Sequence, residues 1–164
     1  MSSTANLCDK YINELNVSKA ALKSYGMKKK FFGQITTVKI TENNNDIFMA
    51  TIETAEPGSI IVLDGVLSQP CAWMGDRKAG IAKERGITGI IINGFVRDIE
   101  GLAKLDMGIL ALGSHPCPSR HRANKEAIGK KDVVLNFGEI NWTPGHYVYV
   151  DQDGVIVSPR NLVE

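Results

Sequence analysis

Two short polar segments of the sequence carry the residue types of a binding site for a small anion. The first, Gly75-Asp76-Arg77-Lys78, opens a predicted helix, and the second, Arg97-Asp98, follows an apolar strand at residues 88–93. The first turn of a helix has backbone N–H groups without partners and a partial positive charge, and both suit a carboxylate. Gly75 lacks a Cβ, so an anion can approach the backbone closely there. Glycine is also common in such turns when no ligand binds, and this segment alone is a weak sign of a site.

Arg97 and Asp98 add a cation and an anion directly after the strand. The planar guanidinium of Arg97 matches a carboxylate or an enolate oxygen. Asp98 offers an oxygen ligand for a hard metal ion, and Mg²⁺ commonly takes only one or two protein carboxylates while keeping its waters. The alternative is an ordinary surface ion pair, and spacing alone favours that alternative slightly.

The elements around these segments predict an α/β domain with a mostly parallel centre. Helices are predicted at 75–85 and 100–105, and strands at 31–40, 59–63, 88–93 and 107–112. A strand, a helix and a second strand in this order are typical of a parallel crossover unit. Ligands gather at the carboxyl ends of parallel strands, so both polar segments are expected at one edge of the sheet.

Both ends of the chain add further elements. Apolar residues at helical spacing behind Ser3 and Thr4 predict an amphipathic first helix, and Asn43-Asn44-Asn45 precede a short helix that carries Ile47, Phe48 and Ile52. Short strands are predicted at 133–137, 146–150 and 154–157, the last two joined as a hairpin by the turn at 151–154.

The composition is that of a globular protein and selects no macromolecular partner. The chain has 164 residues, 43% of them hydrophobic and 23% charged, with a formal net charge of +1. This length suits one domain over residues 1–164. The charge balance predicts no direct nucleic-acid binding, and no apolar run is long enough to cross a membrane. Cys8, Cys71 and Cys117 are widely spaced and form no zinc or disulfide pattern, which favours a reducing cytoplasm.

Other polar residues are weaker candidates. His115, His121 and His146 match no metal-ligand spacing, and a structural or solvated role is favoured for each. Arg120, Arg122 and Lys125 make one loop basic, which indicates a solvated loop or, less often, a cap that attracts a dicarboxylate.

Several motifs resemble a known family over nearly the whole chain. They are CAWMGD at 71–76, NGFVRD at 93–98, ALGSHP at 111–116, TPG at 143–145 and DQDGV at 151–155. These segments are similar to the regulator of ribonuclease activity A and to its relatives, the metal-dependent 4-hydroxy-4-methyl-2-oxoglutarate aldolases.

The resemblance implies a swivelling β/β/α fold in a homotrimer with sites at the subunit contacts. In the aldolases, the segment matching Gly75 to Lys78 holds the pyruvate-like end of a 2-oxo acid substrate and the Arg matching Arg97 binds it. The Asp matching Asp98 serves a divalent cation such as Mg²⁺ or Mn²⁺. The implied activity is retro-aldol cleavage to pyruvate, with oxaloacetate decarboxylation through the same enolate. The alternative is a non-catalytic protein that binds ribonuclease E or an associated helicase; Asp98 favours the enzyme, since regulator-type members have Gln there.

Three departures from the family pattern bear on catalysis. The loop Asp64 to Pro70 lacks two glycines and an arginine that are common in the family. Gly101 stands at the position of an acidic residue, and Glu100, one residue earlier, points roughly 100° away around a helix. His146 also replaces a common acidic residue. Methyl transfer, an older assignment for some relatives, finds no support because no glycine-rich nucleotide fingerprint follows the first strand.

Overall fold

The computed structural model describes residues 2–120 and 129–163. Its helices are α1 (Thr4–Tyr11), α2 (Asp46–Thr54), α3 (Asp76–Glu84) and α4 (Ile99–Leu102). Its strands are β1 (Asn16–Val17), β2 (Lys23–Ser24), β3 (Phe31–Lys39), β4 (Ile60–Asp64), β5 (Ala72–Met74), β6 (Gly89–Val96), β7 (Gly108–Ser114), β8 (Lys130–Lys131), β9 (Leu135–Phe137), β10 (Ile140–Trp142), β11 (Tyr147–Val150) and β12 (Val155–Ser158).

The predicted parallel centre is confirmed. The main sheet runs in the order β1-β12-β11-β3-β4-β6-β7-β2, and β3, β4, β6 and β7 are parallel to their neighbours within that group. β5 pairs with β6 in parallel, whereas β8 pairs with β3 antiparallel. β11 and β12 form the predicted hairpin, and β9 and β10 form a separate antiparallel pair. β11 also pairs with β3, so the C-terminal hairpin extends the same sheet.

The central strands are buried on both faces, which explains why they read as continuous apolar runs. On one face of β4, Ile61 and Leu63 belong to a core that includes residues of α2 and α3. On the other face, Ile60 and Val62 belong to a second core with residues of β9 to β12. Helices, central sheet and β-layer therefore give the β/β/α arrangement that the resemblance implies.

Small residues allow α3 to lie against the sheet. Ala79 and Ala82 are fully buried in the core shared with α2 and the central strands. Larger side chains at these two positions would hold the helix axis farther from β6. This packing fixes the first turn of α3 relative to the end of β6.

Strand β6 is longer than the sequence predicts. The expected strand ends at Asn93, but β6 continues to Val96 through an irregularity between Ile92 and Phe95. The Asn93 side chain donates a 2.8 Å hydrogen bond to Asp64 Oδ1, so this polar residue is paired within the sheet edge. As a result Arg97 is the first residue beyond the strand.

Strands β1, β2, β5, β8 and β10 are not predicted by the sequence. Each has only two or three residues, too few for an alternating pattern to appear. None of the helices in residues 2–120 and 129–163 is long and apolar enough to cross a membrane.

Candidate functional site

The predicted polar segments meet at one cleft beside the carboxyl end of β6. The cleft has a volume of about 590 Å³, and its lining includes Gly75, Arg77, Lys78, Arg97 and Asp98. Residues of α3 and the two residues after β6 line the cleft together with residues of α2, β5 and the segment 118–119. This arrangement agrees with the prediction that both segments lie at one edge of the sheet. Their roles in binding stay predictions.

Backbone contacts between neighbouring strands place Arg97. Met74 at the end of β5 pairs with Val96, and Met74 O accepts a 2.9 Å hydrogen bond from the backbone N–H of Arg97. His115 donates its N–H to Val96 O from the other side, at 2.9 Å. Arg97 thus begins from a backbone fixed on both sides, which reduces the entropy lost when its side chain binds an anion.

Asp98 occupies an unusual backbone conformation. Its φ of 57° and ψ of 48° lie in the left-handed region, and it precedes the first residue of α4. This region costs about 1 kcal/mol or more for a residue with a Cβ, although Asp tolerates it better than most. The conformation reverses the chain after Arg97 and directs the two adjacent side chains to the same cleft.

Gly75 leaves room for the Asp98 carboxylate. A Cβ added to Gly75 would overlap Asp98 Oδ2 and would also lie 3.2 Å from Asp98 Cγ. Gly75 is the N-cap of α3 and has no side chain to bond the first turn. The sequence identified this glycine as a point of close approach for a ligand; the structure adds that Asp98 itself makes such an approach.

Arg97 and Asp98 are only loosely paired. Arg97 Nε lies 3.9 Å from Asp98 Oδ2, beyond hydrogen-bond distance, and the two side chains are 42% and 45% exposed. An exposed pair at this distance contributes little to stability. Both groups therefore keep their hydrogen-bonding capacity for a third group in the cleft.

The side chain of Asp76 turns away from the rest of the predicted segment. Asp76 is exposed and is not among the residues that line the cleft. It packs against α4, where a Cβ on Gly101 would overlap Asp76 Oδ2 and would lie 2.7 Å from Asp76 Cβ. Gly101, which departs from the family pattern, is therefore the residue that makes space for Asp76.

The contacts and the pKa of the Lys78 amine could not be predicted from the sequence. Its Nζ donates a 2.9 Å hydrogen bond to Trp73 O and lies 5.3 Å from the centre of the Phe48 ring. The pKa of Lys78 is lowered to about 8, mainly by burial and also by the positive charge of Arg97, while Asp46 and Cys71 act in the opposite direction. No sequence pattern signals this shift, because the burial of Lys78 depends on packing in the folded chain, including contact with the distant residue Phe48.

The cleft suits a metal ion that keeps most of its water. Among the described residues no group of three or more His, Cys, Asp or Glu could surround an ion. Asp98 supplies one partly exposed carboxylate beside the substrate-sized cleft. This donor set fits Mg²⁺ or Mn²⁺, which bind through one or two carboxylates together with water and substrate oxygens, and it does not fit a structural zinc site.

The remaining polar candidates lie in turns or outside the described residues. His115 Nδ1 accepts a 3.2 Å hydrogen bond from the backbone N–H of Cys117, which is a local turn contact. The Arg120 backbone N–H donates to Asn43 Oδ1 at 2.8 Å, and Arg120 O accepts from Asn45 N–H at 2.9 Å. His146 donates its backbone N–H to Thr143 O. His121, Arg122 and Lys125 lie outside the described residues.

The altered loop after β4 is held by an indole. Trp73 Nε1 donates a 2.8 Å hydrogen bond to Gly65 O, and Gly65 N–H donates to Asn93 O at 3.0 Å. A Cβ on Gly65 would overlap Trp73 Nε1 and would lie 2.7 Å from Trp73 Cε2. One glycine in this loop is therefore enough for the backbone to pass the indole, and the missing glycines do not prevent this close approach.

Comparisons with known proteins agree with the fold and the motifs. The RraA-like family model, described as Aldolase/RraA, matches residues 4–157. A Bacillus anthracis protein provisionally named 4-hydroxy-4-methyl-2-oxoglutarate aldolase is 43% identical over 162 residues, covering 99% of both chains. An Aromatoleum aromaticum protein with the same provisional name is 36% identical and 98% covered in both chains.

Two solved structures are similar over the full fold. One is described as the S-adenosylmethionine:2-dimethylmenaquinone methyltransferase of Geobacillus kaustophilus; it is 41% identical with a TM-score of 0.91, covering 98% of this chain and 97% of that one. The other, the RNA-processing inhibitor RraA of Thermus thermophilus, is 28% identical with a TM-score of 0.90, covering 99% and 96%. The chain belongs to the Aldolase/RraA family.

Proposed function

We propose that this protein is a divalent-metal-dependent lyase that cleaves 4-hydroxy-4-methyl-2-oxoglutarate, or a close relative, to pyruvate. The observation that carries this proposal is the position of Asp98, held in a left-handed backbone conformation against Gly75 and beside Arg97. The provisional aldolase name of the Bacillus anthracis and Aromatoleum aromaticum relatives supports the same reaction class.

Different residues of the cleft bind different groups of the substrate. Arg97 donates hydrogen bonds from its planar fork to the carboxylate of the 2-oxo acid, which also fixes the plane of the adjacent ketone. The free N–H groups of the first turn of α3, which no side chain caps, bind a second oxygen at the same end of the substrate. The positive charge of Lys78, when protonated, and that of Arg77 favour a substrate with more than one carboxylate.

Charge stabilisation is the main catalytic requirement, because carbon–carbon cleavage leaves a pyruvate enolate. A Mg²⁺ or Mn²⁺ ion held by Asp98 supplies positive charge for that enolate when it is bound. Arg97 supplies a second positive charge from a backbone already fixed by Met74 and Val96. Oxaloacetate decarboxylation passes through the same enolate and is proposed as a side activity.

The direct test measures pyruvate release by the wild-type protein. We expect release from both 4-hydroxy-4-methyl-2-oxoglutarate and oxaloacetate in the presence of Mg²⁺ or Mn²⁺, and loss of both activities with a chelator. Inactivity on both substrates, with added metal and with the assembly verified, would contradict the proposed lyase.

A homotrimer with sites at the subunit contacts is part of the proposal. The Arg97 and Asp98 side chains are partly exposed in the single chain, so a residue from a neighbouring subunit can reach them. Light scattering should give the mass of three chains at micromolar concentration. A stable monomer that cleaves the substrate would contradict the shared site.

The second candidate is a non-catalytic regulator that binds ribonuclease E or an associated helicase. The observation that favours it is the close fit to the RNA-processing inhibitor of Thermus thermophilus, at a TM-score of 0.90. A regulator should bind purified ribonuclease E equally well with and without a chelator. It should also release no pyruvate with any divalent ion, so one pair of assays separates the two functions.

A further inference from the structure

Lys78 is a largely buried lysine in the lining of the cleft. Its hydrogen bond goes to the neutral carbonyl oxygen of Trp73, and the face of the Phe48 ring covers another side of the amine. A neutral amine keeps N–H groups that can donate to the carbonyl oxygen, while the ring face attracts the ammonium form more strongly.

The surroundings favour the neutral amine more than those of a surface lysine do. Burial lowers the pKa of Lys78 to about 8, and the neighbouring cation Arg97 acts in the same direction. Asp46 from α2 and Cys71 before β5 oppose this shift and do not overcome it. A substantial fraction of the amine is therefore unprotonated in mildly alkaline solution.

The cleft brings a suitable electrophile to this amine. Arg97 and Lys78 line the same 590 Å³ space, and the charge of Arg97 acts on the Lys78 amine. A 2-oxo acid that binds Arg97 through its carboxylate carries its ketone carbon one bond away. A desolvated lysine beside a second cation is the arrangement that activates amines for Schiff-base chemistry.

We infer that Lys78 is a nucleophilic lysine that forms a Schiff base with 2-oxo acids bound in the cleft. The lone pair of Nζ attacks the ketone carbon, the carbonyl π electrons move to oxygen, and proton transfer from nitrogen to oxygen gives a carbinolamine. Loss of water then forms the C=N bond, so one amine and one ketone give one imine and one water. This reaction needs no metal ion, and in that respect it goes beyond the proposed lyase activity while using the same cleft.

Reductive trapping tests the inference without turnover. The wild-type protein is incubated with pyruvate and a chelator near pH 8, and borohydride is added to convert any imine to a stable secondary amine. Intact mass and peptide mapping should then find one reduced pyruvate group per chain, on the peptide that contains Lys78. A wild-type protein without such an adduct, or with adducts spread evenly over exposed lysines, would overturn the inference.

Matched variants identify the reacting amine. Lys78→Arg and Lys78→Met should both lose the adduct, whereas Lys83→Arg, which changes an exposed lysine on the same helix, should retain it. Arg97→Gln should lower the trapped fraction by about tenfold, because the carboxylate loses its bidentate partner. An adduct that persists in either folded Lys78 variant would assign the chemistry to another lysine and contradict the inference.

The trapping experiment and the lyase assay test the two proposals independently, so a negative result in one does not decide the other. Trapping is performed with a chelator, so a protein that is inactive as a metal-dependent lyase can still form the adduct. Conversely, metal-dependent pyruvate release by a protein that gives no adduct would support the proposed function and refute the role of Lys78 as a nucleophile.

Discussion

Two arginine–carboxylate pairs in this molecule have similar exposure and different geometry. Arg160 Nε lies 2.7 Å from Glu14 Oε2, whereas Arg97 Nε lies 3.9 Å from Asp98 Oδ2. The side chains are 53% and 43% exposed in the first pair and 42% and 45% exposed in the second. Solvent exposure therefore does not explain why one pair is closed and the other open.

The difference comes from what fixes each carboxylate. Glu14 and Arg160 come from distant parts of the chain, and Arg160 also lies 5.2 Å from the Tyr11 ring, so these side chains adjust to one another. Asp98 is adjacent to Arg97 in the chain, and its left-handed backbone and its contact with Gly75 determine its position. Because the backbone fixes the Asp98 carboxylate, it does not form a close ion pair with Arg97. Its oxygens therefore stay available to bind a ligand.

The largest expected effect comes from removing the charge of the open pair. Asp98→Asn keeps the side-chain shape, and we expect the rate of metal-dependent pyruvate formation to fall by on the order of 10². The thermal unfolding midpoint should barely change, because an exposed, loose pair contributes little to stability. Steady-state kinetics and a thermal melt measure the two quantities.

Glu14→Gln is the matched control for that variant, since it removes one charge from the closed pair. It should leave pyruvate formation unchanged. Equal losses of activity in Asp98→Asn and Glu14→Gln would mean that the geometric difference between the pairs has no functional meaning.

A methyl group at Gly75 tests whether the backbone places Asp98. Gly75→Ala should displace the Asp98 carboxylate, because the new Cβ would overlap its Oδ2, and we expect pyruvate formation to fall by about tenfold or more. Gly80→Ala is the control within the same helix, where a Cβ meets no atom within 4 Å. That variant should gain roughly 1 kcal/mol in the free energy of unfolding and keep full activity. Full activity in Gly75→Ala would show that activity does not depend on the space that Gly75 leaves for the Asp98 carboxylate.

The fork of Arg97 should matter more than its charge. Arg97→Lys replaces two parallel donors by one compact ammonium, and we expect the KM for the 2-oxo acid to rise by roughly tenfold. Arg160→Lys makes the same change in the closed pair and should leave KM unchanged. An unchanged KM and kcat in Arg97→Lys would identify Arg97 as a surface cation.

The two regions should also differ in the pH range that affects stability. The hydrogen bond with Arg160 lowers the pKa of Glu14, so the contribution of the closed pair is present at neutral pH and is lost in acid. Burial lowers the pKa of Lys78 to about 8 from an ordinary 10.5, so between these values the unfolded chain binds more protons than the folded one. The free energy of unfolding should therefore rise with pH across this range.

Denaturant unfolding of the wild type and of Lys78→Met measures the contribution from Lys78. The difference in the free energy of unfolding should change by roughly 2 to 3 kcal/mol in favour of the wild type between the two ends of the range. Lys83→Met, at an exposed position of the same helix, should run parallel to the wild type. A Lys78→Met curve parallel to the wild type would show that the amine is not desolvated.

The sequence predicted the parts of the site that follow from local chain geometry. A glycine before a helix and a charged pair after an apolar strand indicated that Gly75 and Arg97-Asp98 would meet at one sheet edge, and they line one cleft. Ala79 and Ala82 are small residues three apart on α3, and both are fully buried. These features depend on periodicity and on the rule that parallel strands present their carboxyl ends together.

Contacts between distant segments were not predictable in the same way. The left-handed conformation of Asp98, the packing of Asp76 against Gly101 and the covering of Lys78 by Phe48 depend on side chains that meet only in the folded chain. β6 extends to Val96 through pairing with β5 and β7, and Asn93 within it pairs with Asp64 of the neighbouring strand. Each of these details arises from tertiary packing, which leaves no periodic trace in a single sequence.

The metal and enolate site after β6 is tested most directly by the binding of oxalate, a planar analogue of pyruvate enolate, in the presence of Mn²⁺. Calorimetry on the wild-type protein should show oxalate binding that requires the metal, and Asp98→Asn should lose that requirement together with most of the affinity, whereas Glu14→Gln should bind like the wild type. Metal-dependent oxalate binding that is unchanged in Asp98→Asn would contradict the claim that the open pair after β6 is the metal and enolate site.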